Sequence, residues 1–312
     1  MSKNDGGCRN LDSESAIMYF LTPKNEQPTM TKRAYAKINL GLRIIRRRED
    51  GYHEIETVFH LVNLFDTIEL EAEGNEILIK SSDPQLSTGR SNLCWKAADI
   101  LRREGSAARG VKIRIDKRIP VGAGLGGGSS DAALVLRELP NLWNVNINNE
   151  RLHEIAASLG SDVPYFLRPG TALATGRGEV LDYLEQSLPY WIVVVYPGIR
   201  VATRWAYEHV TPTEQPEQDD LKRLLFENLD RPAEWRNKLK NDFEELVFQT
   251  HGTVKQTKDM LYNAGADFAL MSGSGSAVFG LFRNEQSARA IVETASNNYR
   301  AFLTEPNFRP DF

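Results

Sequence analysis

The sequence predicts two α+β domains, and three observations carry that prediction. The chain has 312 residues, which at roughly 150 residues per domain is about two domains. Apolar residues recur with period 2 in some stretches and with period 3.6 in others, so strands and helices are both present. Their order is mixed rather than one strand and one helix in turn, which favours two α+β units over a doubly wound parallel sheet.

The elements follow in order. Residues 1–32 are polar, contain Pro23 and Pro28, and show no sustained period. No basic stretch leads into an apolar core there, so the segment is expected to be an extension, disordered or a non-native start, and not a signal peptide. From Ala34, apolar residues fill every second position (Ala34, Ala36, Ile38, Leu40, Leu42, Ile44), which predicts a half-buried strand. Tyr35, Lys37, Asn39, Gly41 and Arg43 take the other face, so Lys37 and Asn39 project from one side. Strand-like stretches Asp66–Leu70 and Ile77–Ile79 flank Gly74-Asn75 and predict a hairpin. Ser91-Asn92 offers an N-cap to a helix carrying Leu93, Ala97, Ile100 and Leu101. Val111, Ile113 and Ile115 alternate with polar residues as a further strand, followed by a glycine-rich segment and a helix through Leu139. Leu152, Ile155, Ala156 and Leu159 make another helical stripe, closed by Gly160. The first domain is expected to span 33–186 and the second 187–312. The second opens on the apolar strand Trp191–Tyr196. A loop or mobile insert over Thr211–Asp220, a long helix from about Ala233 to Asn263, a strand–glycine loop–strand unit over Phe268–Phe282 and a last helix over Gln286–Ser296 follow.

Composition narrows the function classes. Lys plus Arg number 38 and Asp plus Glu 42, a formal charge of −4, which argues against a general nucleic-acid binder. Cys8 and Cys94 are the only cysteines. That excludes a disulfide framework and a cysteine-based zinc site, and suits a reducing, cytoplasmic setting. No apolar run is long enough to span a bilayer. His60, His153, His209 and His251 have no metal-ligand spacing, and no protein metal site is expected. Arg46-Arg47-Arg48 reads as a solvated strand end.

Five of the 23 glycines fall within residues 122–128. The segment Pro120-Val121-Gly122-Ala123-Gly124-Leu125-Gly126-Gly127-Gly128-Ser129-Ser130 lies between a strand and a helix. Glycines permit positive φ and close backbone approach, and the helix start supplies free N–H groups and the positive end of its dipole. The combination suits a phosphate group. No lysine follows the glycines, so the segment is not a P-loop. The His-Arg-Asp and Asp-Phe-Gly signatures of protein kinases are missing. Gly122-x-Gly124-x-x-Gly127 matches the dinucleotide fingerprint literally. Asn144-Val145-Asn146 stands where its acidic residue belongs, however, so a nicotinamide enzyme is a weak rival.

Pro120 to Ala133 resembles the ATP-binding loop of the GHMP kinase superfamily, which includes the galactokinases, homoserine kinases and mevalonate kinases. Ala34 to Leu40 resembles the first motif of that family and Met271 to Ser276 its third, so the likeness runs over about residues 33–282. Asp50-Gly51-Tyr52-His53 and the extended Gly-Leu-Gly-Gly-Gly-Ser-Ser-Asp-Ala-Ala run resemble in particular the branch acting on a cytidine-diphosphate-linked methylerythritol in isoprenoid precursor synthesis. Tyr35 departs from the pattern, since relatives usually carry Pro there.

The resemblance implies a ribosomal protein S5 domain 2-like N-terminal domain and a ferredoxin-like C-terminal domain. It also implies ATP and Mg²⁺ as cofactors, a small-molecule substrate, and a monomer or homodimer. It makes Lys37 and Asp162 the catalytic pair, with Asp162, in Gly160-Ser161-Asp162-Val163-Pro164, as base. It gives Asn39, Tyr52, His53 and Tyr207 to the acceptor, and Ser272, Gly273, Ser274 and Gly275 to the wall of the site. Lys117 and Arg118 would stand near the nucleotide, and Ser130 is a candidate contact for Mg²⁺. Rival expectations are a homoserine- or mevalonate-type kinase, and a non-catalytic nucleotide sensor, which retention of Lys37 and Asp162 argues against.

Overall fold

The computed structural model describes residues 29–105, 109–212, 221–227 and 229–312. Of the expected extension, residues 1–28 lie outside these, and residues 29–32 belong to strand β1 (Thr29–Arg47). Most of the acidic stretch predicted as a loop, residues 213–220, also lies outside them.

β1 pairs antiparallel with β2 (His53–Glu71) along nearly its whole length. β3 (Ile77–Ser81), β4 (Val111–Asp116), β5 (Thr171–Thr175) and β6 (Val180–Leu184) complete a six-stranded sheet. β4 takes residues 67–71 of β2, and β5 takes residues 57–59. The expected hairpin between β2 and β3 does not form: β3 pairs in parallel with β4. β4 inserts at the Gly74 turn, where Gly110 N donates to Gly74 O at 2.8 Å and Val111 N to Glu76 O at 2.9 Å. An alternating pattern fixes which face of a strand is buried, but not which strand lies beside it.

Helices α1 (Leu93–Glu104), α2 (Gly127–Trp143) and α3 (Asn149–Leu159) cover one face of this sheet. Asn92 caps α1 as expected, its Oδ1 accepting from Cys94 N at 2.8 Å. Ile68, Leu70, Ile113 and Ile115 meet Ala97, Leu101, Ala132, Leu136 and Trp143 in this core. The other face (Ala36, Ile38, Leu40, Val58, Val62) packs directly on a second sheet through Ile192, Val194, Leu270 and Phe279.

The second sheet is β7 (Trp191–Tyr196), β8 (Phe268–Met271), β9 (Val278–Phe282) and β10 (Arg300–Thr304), in the order β10-β7-β9-β8. With α4 (Thr203–His209), α5 (Leu221–Glu227), α6 (Glu244–Thr250), α7 (Gly252–Asn263) and α8 (Glu285–Ala295) placed between its strands, this is a split β-α-β arrangement of the ferredoxin-like type. Val193 and Val195, alternating with Ile192 and Val194, face α6 to α8 through Val247, Val254, Leu261 and Ile291. The layers are therefore helices, sheet, sheet, helices, and β1 is buried from Ala34 to Leu42 on both faces, not half-buried.

The single helix expected over 233–263 is broken. A 3₁₀ turn over Pro232–Asn237 precedes an extended stretch in which Leu42 N donates to Lys240 O (2.9 Å) and Asp242 N to Leu42 O (3.0 Å). The periodicity is continuous, but backbone bonds to the edge of β1 win over helix propagation.

Tyr35, the departure from the family pattern, holds the C-terminal residues. Its ring packs on Phe65 and Phe308 at 5.4 and 5.6 Å, and its hydroxyl donates to Asp311.

Candidate active site

Lys37 is 3% exposed, and a buried ammonium is costly unless it is paired. Its Nζ donates to Asn39 Oδ1 at 2.7 Å and lies 3.4 Å from Asp162 Oδ2 and 4.9 Å from the Phe59 ring centre. Asn39 Nδ2 in turn donates to Thr57 Oγ1 at 2.8 Å, and Thr57 Oγ1 to Gly41 O at 2.5 Å. A β-bulge between Asn39 and Leu42, with Gly41 at φ +111°, presents that carbonyl to Thr57. Asp162 lies just beyond α3, its side chain 32% exposed. Buried lysine and accessible aspartate thus form one ion pair, fixed from the β1 side.

The glycine segment crosses this pair. Lys37 N donates to Leu125 O at 3.0 Å, so the loop is bonded to β1. Gly124 has φ +79°, and a Cβ there would stand 2.0 Å from Ser272 O. Gly126 at φ +71° caps α2, where a Cβ would stand 2.7 Å from Phe166 Cζ. The second glycine loop, between β8 and β9, meets the first backbone to backbone: Ala277 N donates to Ala123 O at 3.0 Å, and Ser272 Oγ to Gly124 O at 3.0 Å. The result is a cradle of main-chain amides at the start of α2, which no acidic residue in that first turn opposes.

A buried charge cluster anchors both ends of the cradle. Asp66 Oδ1 accepts from Arg118 N (2.6 Å) and Ile119 N (2.8 Å), while its Oδ2 pairs with Lys117. Lys117 Nζ also lies 3.0 Å from Asp131 Oδ2 on α2. Burial pushes the Asp131 carboxyl up to about 8; the Lys117 ammonium opposes the rise and the Asp66 charge adds to it.

At the other end of the cleft the walls are aromatic. His53 and Tyr207 stack with ring centres 5.2 Å apart, and Tyr207 meets Phe243 edge-on at 4.9 Å. Burial, helped by the Arg47 charge, lowers the His53 pKa, so the imidazole is neutral at pH 7 and both donates and accepts. Burial and the nearby Asp162 charge raise the Tyr207 phenol, keeping its proton on. Tyr52 stands 54% exposed at the rim.

These groups line one cleft of about 1090 Å³. Lys37, Asn39, Tyr52, His53, Asp162, Tyr207, Gly273, Ser274 and residues 120–129 all reach its wall. Ser130, Ser272 and Gly275 do not; Ser130 is 3% exposed behind Ser129. The sequence reading missed Thr57, Phe59, Arg177 and Asn241. Asn241 Nδ2 donates to Met271 O (2.8 Å) and Gly273 O (2.7 Å) and so supports the second glycine loop. No local motif marks it, because its partners are about 30 residues away.

Comparison with known proteins identifies the family. The model "GHMP kinases N terminal domain" matches residues 92–170 and "GHMP kinases C terminal" residues 218–301. The chain belongs to the GHMP kinase family. It is an ATP-using small-molecule kinase with the two-domain GHMP fold. A 4-diphosphocytidyl-2-C-methyl-D-erythritol kinase of Pelodictyon phaeoclathratiforme is 46% identical over 283 residues, covering 90% of this chain and 98% of that one. The crystal structure of a 4-(cytidine 5'-diphospho)-2C-methyl-D-erythritol kinase superposes with TM-score 0.77 at 37% identity, covering 90% of this chain and 100% of that one. A homoserine kinase from Cytophaga hutchinsonii shares the fold at TM-score 0.59 and 16% identity, over 94% and 99% of the two chains. Among the described residues no helix is long and apolar enough to cross a membrane, and no group of three or more His, Cys, Asp or Glu side chains is placed to hold a metal.

Proposed function

We propose that this GHMP kinase transfers the γ-phosphoryl group of ATP to the 2-hydroxyl of 4-diphosphocytidyl-2-C-methyl-D-erythritol, a step of the non-mevalonate route to isoprenoid precursors. One observation carries the proposal: a backbone phosphate cradle and an aromatic pocket share a cleft, with the Lys37–Asp162 pair between them. Lys37 abuts the cradle, since a Cβ on Gly126 would lie 3.2 Å from its Cε, and Tyr207 feels the charge of Asp162.

Each residue then has a role. The amides of residues 122–128 hold the nucleotide phosphates and need no reorganisation to do so. Asp162 orients the acceptor hydroxyl and takes its proton as the O–P bond forms. Lys37, held by Asn39 and Thr57, stabilises the aspartate and the charge developing on the transferred group. His53 reads the pyrimidine edge as a neutral donor and acceptor, Tyr52 offers a stacking face, and Tyr207 closes the pocket. Lys117 lines the nucleotide end.

Mg²⁺ fits this site in the manner usual for the ion, with few protein ligands and several phosphate oxygens. Ser129, whose side chain heads α2 on the cleft wall, would hold it; Ser130 lies behind. When bound, the ion would supply positive charge that neutralises the phosphates.

The test is ADP release with the diphosphocytidyl acceptor, mevalonate and homoserine in parallel. Activity on the first alone is expected. Activity only on mevalonate or homoserine would overturn the proposal, and no turnover of any acceptor despite nucleotide binding would favour a sensor.

A further inference from the structure

The proposed acceptor carries a diphosphate between its cytidine and its reacting alcohol. If cytosine lies at Tyr52 and His53 and the hydroxyl at Lys37 and Asp162, the diphosphate must cross the wall between them. Among the described residues, five lysine and arginine side chains line the cleft: Lys37, Arg47, Lys117, Arg177 and Arg204. Lys37 is committed to Asn39 and Asp162, and Lys117 to Asp66 and Asp131. Arg204 stands 89% exposed on α4, with Glu208 at 3.7 Å. Arg47 ends β1 opposite His53, at the outer rim.

Arg177 is also paired with a carboxylate, Glu179, but through Nε, and of the five it alone lies over the Tyr52 ring. It sits in the turn between β5 and β6, and the next residue, Gly178, approaches the ion pair: a Cβ there would be 3.8 Å from Asp162 Oδ1. Its guanidinium lies over the Tyr52 ring, 4.9 Å from the centre. Glu179 holds both ends of the residue, accepting from Arg177 N at 2.6 Å and from its Nε at 3.1 Å. The side chain remains 27% exposed, open to the cleft. The guanidinium is thus fixed over the base-reading tyrosine, on a turn whose next residue, Gly178, adjoins the catalytic aspartate. Its planar fork suits paired phosphate oxygens, and pre-ordering removes much of the entropy lost on binding.

We propose that Arg177 is the specificity-determining residue that reads the diphosphate of the acceptor, with Glu179 as the positioning residue that aims it. The proposal rests on the acceptor reading above. It explains how a kinase of this fold rejects small unphosphorylated alcohols: their hydroxyl reaches Asp162, but nothing engages the arginine.

Calorimetric titration of cytidine and of cytidine diphosphate into the wild type, Arg177→Gln and Arg177→Lys tests it. The wild type is expected to bind the diphosphate about ten- to a hundredfold more tightly than the nucleoside, the usual worth of a charge-assisted contact. Arg177→Gln should erase most of that ratio while cytidine affinity stays within about twofold, and Arg177→Lys should restore part of it. A wild-type ratio in Arg177→Gln overturns the proposal, as does an equal loss for both ligands, which would leave Arg177 only as a support for Tyr52. If neither ligand binds the wild type, the acceptor reading itself is wrong, and the arginine proposal falls with it.

Discussion

The two ends of the cleft are built from different material. The proposed nucleotide end is main chain: amides of residues 122–128, locked by Ala277 N to Ala123 O and by Ser272 Oγ to Gly124 O. The proposed acceptor end is side chain: the stacked His53 and Tyr207, the exposed Tyr52, and Arg177 over its ring. A backbone cradle recognises phosphate, which ATP carries whatever the acceptor. Side chains can change without disturbing the frame, so specificity belongs at the second end. Lys37 and Asp162 stand at the seam, one bonded into the buried frame and the other open to the cleft.

The seam should give the largest effect. Lys37→Ala and Asp162→Ala are each expected to lower kcat by at least ~10²-fold, as losses of positioned catalytic groups do. Binding of cytidine diphosphate should survive in both, and steady-state kinetics with titration separate the two readouts. A near-wild-type rate in either variant removes that residue from the mechanism.

Next comes the cradle. Gly124→Ala places a methyl group 2.0 Å from Ser272 O at a φ of +79°, so the two loops must part. A fall of ~10²-fold in kcat/KM for ATP is expected, since a displacement near 1 Å has that cost. Affinity for cytidine diphosphate should stay within about twofold; an equal loss at both ends would show that the cleft is one unit.

A smaller effect is expected at the acceptor end. Tyr52→Ala should raise KM for the acceptor about tenfold, through loss of a stacking face, and leave KM for ATP unchanged. The reverse pattern would place Tyr52 at the nucleotide.

The frame common to both ends provides an effect on stability and not on turnover. His60 is buried, with Nδ1 2.8 Å from Thr171 Oγ1, and burial lowers its pKa from 6.5 to about 4. The unfolded chain therefore binds the extra proton first as pH falls, so this contribution is complete above pH 6.5 and is lost on the way to about pH 4. The loss amounts to about 3 kcal/mol at most. His60→Gln should flatten the denaturation midpoint over that window, and an unchanged slope would contradict the assignment.

The difference between the two ends also explains what the sequence discloses. A main-chain site needs glycines in a row, so residues 122–128 announce themselves, and the helix they cap follows at once. The strand alternation of 34–44 placed Lys37 and Asn39 on one side, and the structure joins them at 2.7 Å. The layers were less legible. Alternation could not show that β4 separates β2 from β3, nor that sheet packs on sheet and buries both faces of β1. The helix expected over 233–263 ends because Lys240 and Asp242 bond to Leu42, some two hundred positions earlier. Arg177 and Asn241 lay outside every motif for the same reason: each acts on partners that only tertiary structure brings near.

The central claim is that the two substrates occupy separate ends of one cleft at the same time. Titration of cytidine diphosphate into enzyme saturated with a non-hydrolysable ATP analogue and Mg²⁺ tests this most directly. The account predicts an affinity within about twofold of that for the nucleotide-free enzyme, with one equivalent of each ligand bound. An apparent affinity that weakens in proportion to the analogue concentration would mean that both compete for one site, and would contradict it.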